Sequence, residues 1–273
     1  MSRFLRNRLA LIALSLLIAV HLVVALAPWI APHRPDAVSL GNRLEPPSRE
    51  HWLGTDEFGR DVLTRLLYGG QVSLAVGLAS MAASMVIGVA VGAVAGYVGG
   101  AADTVLMRIT DGMLAVPLFF IALMTLAMLG ATMVNLVGVI ALSSWMTVAR
   151  TVRAEVLRTR ALDFVLAARA IGCGQTRILV RHVVPQSIPS ITVAATLGVA
   201  FAVLLETALS FLGLGVQPPA ASWGNMLSGA RGYLRTAPGL AVMPGVLIFL
   251  TVLGYNWFGD GLRDAIDPTL SER

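Results

Sequence analysis

Runs of about twenty apolar residues constrain this chain more than any other feature. A transmembrane helix needs about 20 mostly apolar residues, and charged residues make up only 13% of the chain, too few to cover a water-exposed domain. The sequence therefore predicts an all-α integral membrane protein with six transmembrane helices. The predicted spans are Leu9–Ala31, Val72–Val98, Met113–Gly130, Met133–Ala149, Ile188–Leu212 and Pro238–Phe258.

The first apolar run follows three arginines, a charged start that is also typical of a signal peptide. The run is longer than the apolar region of a signal peptide. Pro28 and Trp29 follow it where small residues would mark a cleavage site. We predict a signal anchor that stays in the protein.

The arginine distribution predicts the orientation. All twenty Lys and Arg positions are arginine, and basic residues are enriched in the cytoplasmic loops of membrane proteins. Thirteen of the twenty lie inside if both termini are cytoplasmic, so the prediction is N-in and C-in. The predicted regions are 1–31, an N-terminal tail and first helix; 32–71, an external loop with an amphipathic helix at Asp61–Leu67; 72–258, a five-helix core with an inner loop at 150–185; and 259–273, a cytoplasmic tail.

The residue types that are missing exclude several kinds of site. A phosphate-binding loop of the G-x-x-x-x-G-K-[ST] type needs a lysine, and the chain has none. Any ATP hydrolysis therefore belongs to another chain, and this chain is not predicted to be an enzyme. Cys173 is the single cysteine, which excludes an internal disulfide and any multi-cysteine metal site. We predict no metal site, no cofactor on this chain and no nucleic-acid partner.

The predicted inner loop at 150–185 is the most informative segment. It has seven arginines but only two acids, Glu155 and Asp163. Asp163 is a candidate N-cap and Gly172 a candidate stop, which predicts a helix of about two turns. Such a helix can dock into a groove on another protein or rest on lipid headgroups. Its predicted apolar face consists of Phe164, Ala168 and Ile171.

Two features of the spans have both a structural and a functional interpretation. Gly88, Gly92 and Gly96 form one stripe on the second span, which allows close helix packing in the bundle or at a pore wall. Glu206 lies toward the end of the fifth span. An ionisable group at membrane depth should face protein or water, so Glu206 either lines a substrate pathway or makes hydrogen bonds inside the bundle.

Several motifs resemble those of one transporter family. The stretch Ala167–Gly172, followed by Ile178 and His182–Pro185, resembles the EAA loop of binding-protein-dependent ABC importer permeases. The resemblance covers nearly the whole chain and is closest to the second, C-type permease of the dipeptide/oligopeptide/nickel class. Three further segments support that class: Trp52–Asp61, Leu209–Pro219 with Ser222–Gly224, and Gly259–Pro268.

The resemblance implies a type I ABC importer permease fold in the inner membrane of a bacterium. It implies half of a peptide translocation pathway, a homologous permease subunit, two ABC ATPase subunits that bind ATP and Mg, an external solute-binding protein, and membrane lipid. Leu166 stands where the family has the EAA glutamate, so a glutamate contact is not expected. The implied ATPase-coupling helix contains Asp163, Phe164, Ala167, Ala168, Arg169, Ala170, Ile171 and Gly172. The implied binding-protein contacts are Asp56, Glu57, Arg60, Arg231 and Arg235.

Alternatives from other classes stay open on the sequence. A secondary transporter driven by an ion gradient usually has ionisable groups near the midplane and related halves. A membrane anchor without a pore is a second alternative. Within the importer family, nickel or another small solute is an alternative to peptides.

Overall fold

The computed structural model describes Phe4 and residues 7–266. Within this part the chain is helical, with no strand beyond one isolated bridge. The arginines at positions 3 and 6, and the tail from residue 267 on, lie outside the described residues. The longer helices α1 to α9 are Arg8–Ala25, Val62–Val98, Gly100–Ala115, Leu118–Leu129, Met133–Thr159, Asp163–Ala170, Ile188–Phe211, Trp223–Ala230 and Gly239–Ile266. Shorter helical turns lie at Ala27–Ile30, Leu40–Asn42, Gln175–Ile178, Leu179–Val183, Val184–Ser187 and Arg231–Tyr233.

The described helices provide five apolar spans and a sixth that is bent. The five are α1, α2, α5, α9 and the helical stretch Gln175–Phe211 that contains α7. The predicted span Met113–Gly130 corresponds to the end of α3 and to α4, which meet at 82°. Pro117 has no N–H to continue the helical ladder and pushes Val116 into an extended conformation. With 12 residues, α4 is only about 18 Å long and cannot cross a membrane alone.

Three helices are longer than hydropathy predicts, and one of them, α9, continues to Ile266 past the predicted end at Phe258. The apolar run of the second span begins at Val72, but α2 begins at Val62 and includes most of the predicted amphipathic helix. Asp61 caps it by accepting a hydrogen bond from the Thr64 N–H. The fourth span is predicted to end at Ala149, but α5 continues to Thr159, so the predicted loop at 150–185 begins with ten helical residues. Hydropathy marks where lipid ends, whereas a helix continues as long as its backbone hydrogen bonds and packing support it.

The glycine stripe of α2 packs against α5. The missing side chains let the two helices approach closely, which increases dispersion contact in an apolar medium. A Cβ added at any of the three glycines would collide with one of three valines spaced four residues apart on α5. The distances would be 2.6 Å from Gly88 to Val148 Cβ, 2.9 Å from Gly92 to Val152 Cβ and 2.9 Å from Gly96 to Val156 Cβ.

The remaining helices complete the bundle around this pair. Helix α9 packs against α1 and α7, and α7 also packs against α2. The short helix α8 lies against α7 and α9, near the start of α2, where the Trp223 indole N–H donates to the Leu66 carbonyl at 3.0 Å. We call this end of the bundle the Trp223 end. Helix α6 follows the far end of α5, and we call that end the α6 end.

Candidate functional site

Helix α6 ends in a complete Schellman motif. Gly172 has φ +83°, a left-handed conformation that favours glycine. The Gly172 N–H donates to the Arg169 carbonyl at 3.0 Å, and the Cys173 N–H donates to the Ala168 carbonyl at 3.0 Å. These are the two hydrogen bonds that define the motif. The predicted stop at Gly172 is confirmed, whereas the N-cap is Leu162, and Asp163 is the first helical residue.

The sides of α6 differ from the predicted faces. Val165 and Ala168 are buried against the chain's own core, whereas Phe164 and Ile171 are exposed. The prediction that Ala168 shares an outward face with them is therefore wrong. Ala168 lies four residues after Phe164 but also three after Val165, and only tertiary packing decides which neighbour it follows. The exposed face contains Phe164, Leu166, Ala167, Ala170 and Ile171, with Asp163 and Arg169 also exposed.

Arginines at the α6 end attach this region to the bundle. The Arg160 guanidinium donates to the carbonyl oxygens of Gly96 and Tyr97, at 2.7 and 3.2 Å, at the end of α2. Arg153 forms a two-bond ion pair with Asp103 of α3, at 2.5 and 2.6 Å. A second ion pair joins Arg150 to Asp111. No pattern in the sequence assigns the two α3 acids to the α5 arginines, so these pairs are not predicted.

A cavity of about 1080 Å³ opens beside α5 and α7 toward the α6 end. Its polar side follows one stripe of α5, since Ser144, Thr147, Thr151 and Glu155 recur at helical spacing. Glu155 accepts a hydrogen bond from Ser190 at 2.8 Å. The same spacing is visible in the sequence and could have identified this stripe. Apolar residues line the rest, among them Met81, Leu114, Leu118, Val193, Leu197 and Phe201.

Glu206 lies inside the bundle and is fully buried. It accepts hydrogen bonds from Ser73 of α2 at 2.9 Å and from Ser210 of α7 at 2.6 Å. The Ser73 hydroxyl in turn accepts from the Trp223 backbone N–H at 3.2 Å. Glu206 is not among the residues that line the cavity. Its contacts support the structural interpretation, in which it joins α2, α7 and the start of α8.

Three of the five implied binding-protein contacts are held within the chain. Asp56 accepts from the Arg60 Nε at 2.7 Å and lies 3.4 Å from the Arg65 Nε. Glu57 lies 3.5 Å from Arg60. Arg231 is exposed, with its guanidinium 5.1 Å from the centre of the Phe211 ring. Arg235 is also exposed.

Two segments of the chain match known protein families. Residues 88–272 match the family described as binding-protein-dependent transport system inner membrane component. Residues 1–47 match the N-terminal TM domain of oligopeptide transport permease C. The first match covers more than half of the chain, and the prediction of an importer permease in a bacterial inner membrane is confirmed.

Two relatives are similar to this chain over nearly its whole length. The dipeptide transport system permease protein DppC of Alkalihalophilus pseudofirmus is 41% identical over 265 residues, covering 97% of this chain and 87% of the relative. A Brucella suis protein with a provisional peptide-permease name is 44% identical over 269 residues, covering 98% of this chain and 89% of the relative. The similarity therefore extends over the whole bundle rather than over one motif.

A solved structure has the same fold. The MetNI methionine ABC transporter, in inward-facing conformations, contains a chain that superposes with a TM-score of 0.57 at 19% sequence identity. The match covers 72% of this chain and 96% of that chain. The predicted type I permease fold is confirmed. On its sequence and its fold, the chain belongs to the binding-protein-dependent transport system inner membrane components, the permease subunits of ABC importers.

Proposed function

We propose that this chain forms half of a peptide translocation pathway and that α6 is the helix through which separate ATPase subunits drive it. The observation on which the proposal depends is the exposed apolar face of α6 on a firmly anchored segment. Ile171 is 80% exposed and Leu166 49% exposed, although the opposite side of α6, at Val165 and Ala168, is buried. An apolar helix face of this kind fits a groove on another protein.

The attachment of α6 to the bundle supports a mechanical role. Only Ala161 and Leu162 lie between the cap of α5 at Arg160 and the start of α6, and the Leu162 N–H donates to the Thr159 carbonyl at 3.1 Å. Arg160 binds the end of α2. The valine and glycine contacts then join α2 to α5 over three helical turns. A displacement of α6 would move these two helices together.

The cavity supports the assignment of a pathway. It combines a polar stripe on α5 with apolar residues of α7, which suits a substrate with a polar backbone and variable side chains. We propose that a homologous permease subunit encloses the open side. Within the apolar interiors of the described spans, few ionisable side chains occur beyond His21 and Glu206, and this composition favours the importer over an ion-driven secondary transporter.

The substrate proposal comes from the relatives. The DppC relative is named for dipeptide transport, so we propose dipeptides or short oligopeptides, with nickel as the alternative within the class. The proposed partners are the second permease, two ATPase subunits that bind ATP and Mg, and an external solute-binding protein. The proposed topology has both termini and α6 in the cytoplasm and the Trp223 end outside.

Reconstitution tests the function. The complex assembled from this chain, its second permease, its ATPases and its binding protein should take up labelled dipeptide into vesicles only with ATP. Nickel uptake without peptide uptake would contradict the peptide assignment. Peptide uptake that persists without ATP and collapses with an ionophore would contradict the importer mechanism.

A pair of neighbouring substitutions tests the role of α6. Ala167→Glu places a charge on the exposed face and should abolish ATPase co-purification while the chain unfolds at the wild-type temperature. Ala168→Glu places the charge in the core, where an unpaired charge is strongly destabilising, and should lower the unfolding temperature. Normal co-purification and uptake in Ala167→Glu would contradict the coupling assignment.

The cavity has its own test. Thr147→Leu replaces a hydroxyl that lines the cavity and should reduce uptake without releasing the ATPases. Thr192→Leu is the matched control, because Thr192 is exposed and lies outside the cavity lining. Equal uptake in the two variants would remove the cavity from the pathway.

A further inference from the structure

Two histidines and one aspartate come together at the Trp223 end, away from the cavity and from α6. His33, His51 and Asp61 each offer one ligand atom, and these atoms all lie within 4.8 Å of one another. The sequence predicts no metal site, because the three residues are separated along the chain and match no ligand spacing. The fold joins them by returning the segment before α2 onto the residues that follow α1.

Hydrogen bonds already orient all three side chains. The His51 Nδ1 lies 2.9 Å from Asp61 Oδ1, and Asp61 Oδ2 accepts from the Thr64 N–H at 2.8 Å. The His33 Nε2 lies 3.0 Å from the Glu50 carbonyl oxygen. A carbonyl only accepts, so this nitrogen has the proton and Nδ1 keeps a lone pair. A histidine that donates to a backbone carbonyl with one nitrogen and binds metal with the other is the common arrangement in metal sites.

Two of the three side chains are buried, so the cluster is more than a contact between mobile surface residues. The Asp61 side chain is 0% exposed and the His51 side chain 9% exposed. His33 is half-buried and leaves one open side for solvent. The two imidazole rings lie 4.7 Å apart between centroids, tilted by 38°. The site therefore has two fixed ligands and one that can adjust.

We propose that His33, His51 and Asp61 bind a divalent transition-metal ion, with Zn²⁺ the best match to two imidazoles and one carboxylate. Zinc–ligand distances near 2.1 Å place tetrahedral ligands about 3.4 Å apart. His33, on the open side, must therefore move inward by up to about 1.4 Å, the difference between 4.8 and about 3.4 Å. The ion takes the place of the proton shared by His51 and Asp61, and that proton moves to the other ring nitrogen of His51. Water completes the coordination.

The ion would join two parts of the chain that otherwise meet through few bonds. His33 follows the helical turn after α1, and Asp61 caps α2. The hydrogen bonds between them run from the His33 N–H to the Thr64 hydroxyl at 3.3 Å, from Arg65 to the Pro35 carbonyl at 3.2 Å and from Gln71 to the Val24 carbonyl at 3.0 Å. A bound ion would raise the temperature at which this junction unfolds, as long as no chelator removes it. The inference is independent of the peptide substrate and of the ATPase contact.

The full chain, purified in detergent without a polyhistidine tag and stripped with chelator, tests the proposal by titration with ZnCl₂. We expect one zinc per chain after gel filtration and a higher unfolding temperature. His33→Gln should weaken zinc binding at least about tenfold and leave the unfolding temperature of the metal-free chain unchanged. His182→Gln, which changes a half-buried histidine of another segment, should bind zinc like the wild type.

CoCl₂ gives a second readout that needs no variant. Cobalt in a four-coordinate site should give strong visible absorption that zinc displaces stoichiometrically. Zinc retention that is equal in the wild type and His33→Gln would overturn the proposal. So would wild-type protein that retains no zinc at micromolar concentration and gives only the weak spectrum of hydrated cobalt.

Discussion

The 32–61 segment and the 160–187 segment lie at opposite ends of the bundle and differ in the burial of their charged side chains. In the 32–61 segment, Asp56 and Arg60 are buried and form an ion pair with each other. In the 160–187 segment, Arg177 and Arg181 are exposed. Neither forms a salt bridge within the described residues. The first segment buries one ion pair and exposes other charges such as Arg43 and Arg49, whereas no charged residue of positions 160–187 is buried.

Both segments expose apolar residues, but only the second presents them on one face of an α-helix. The 32–61 segment exposes Val38, Leu40, Trp52 and Phe58 on loops and one short helical turn. Trp223 and Val62 close the core beneath the 32–61 segment and are fully buried. The 160–187 segment buries only one side of α6 and exposes Phe164 and Ile171 on the other. An apolar face on an anchored helix gains burial when a partner docks on it. The contrast supports the proposed ATPase contact at the α6 end.

Removing the buried Asp56 carboxylate should produce the largest effect on stability. Asp56→Ala leaves Arg60 and Arg65 buried without that carboxylate, and we expect the free energy of unfolding to fall by about 3–5 kcal/mol. Thermal or denaturant unfolding in detergent measures it. Asp36→Ala removes an exposed acid from the same segment and should change stability by less than about 1 kcal/mol. Equal losses of unfolding free energy in Asp56→Ala and Asp36→Ala would contradict a stabilising role for the buried ion pair.

The turn after α6 should be the next most sensitive position. Gly172→Ala forces a side chain into the left-handed region and should destabilise the chain by about 1–2 kcal/mol, with a matching loss of uptake. Gly174 has φ −63° and open space around it, so Gly174→Ala should leave both stability and uptake intact. Unfolding curves and vesicle uptake of the two variants give the result. An unaffected Gly172→Ala would mean that the Schellman turn does not set the position of α6.

Substitutions of exposed apolar residues should affect ATPase binding in the 160–187 segment but not in the 32–61 segment, with little effect on stability in either. Phe164→Ser should change the free energy of unfolding by less than about 1 kcal/mol but weaken ATPase co-purification. Leu40→Ser changes a residue that is 70% exposed in the other segment and should not affect the ATPases. Pull-down from detergent extracts measures both. Loss of the ATPases in Leu40→Ser alone would reverse the assignment of the two ends.

The smallest effect is expected at the Trp223 end. Arg231→Ala removes an exposed charge and should slow association of the binding protein mainly at low salt, because rim charges steer encounter more than they add affinity. Surface plasmon resonance on the assembled complex at two ionic strengths measures the rate. Arg49→Ala is the control at another exposed arginine. A salt-independent rate in the wild type would remove electrostatic steering from this surface.

The sequence alone identified the features that depend on neighbouring residues. Long apolar runs predict helices because an unpaired backbone cannot enter lipid, and this prediction is confirmed for five spans. Gly172 marks a stop because only glycine adopts its conformation easily. The motifs near Ala167, Asp56 and Leu209 resemble those of the family to which the chain belongs. Each of these signals is local or rests on a string of adjacent residues.

Tertiary structure decided what depends on residues far apart in the chain. Hydropathy does not separate a lipid-facing side chain from one that faces protein, so the burial of Ala168 beside exposed Phe164 was not predictable. Pro117 marks a helix break in the sequence, but the 82° angle between α3 and α4 and the pairing of Arg153 with Asp103 depend on how whole helices pack. The meeting of His33 with Asp61 likewise requires the chain to return on itself. Local sequence determines which helices form, and long-range packing determines which side of each helix a partner can reach.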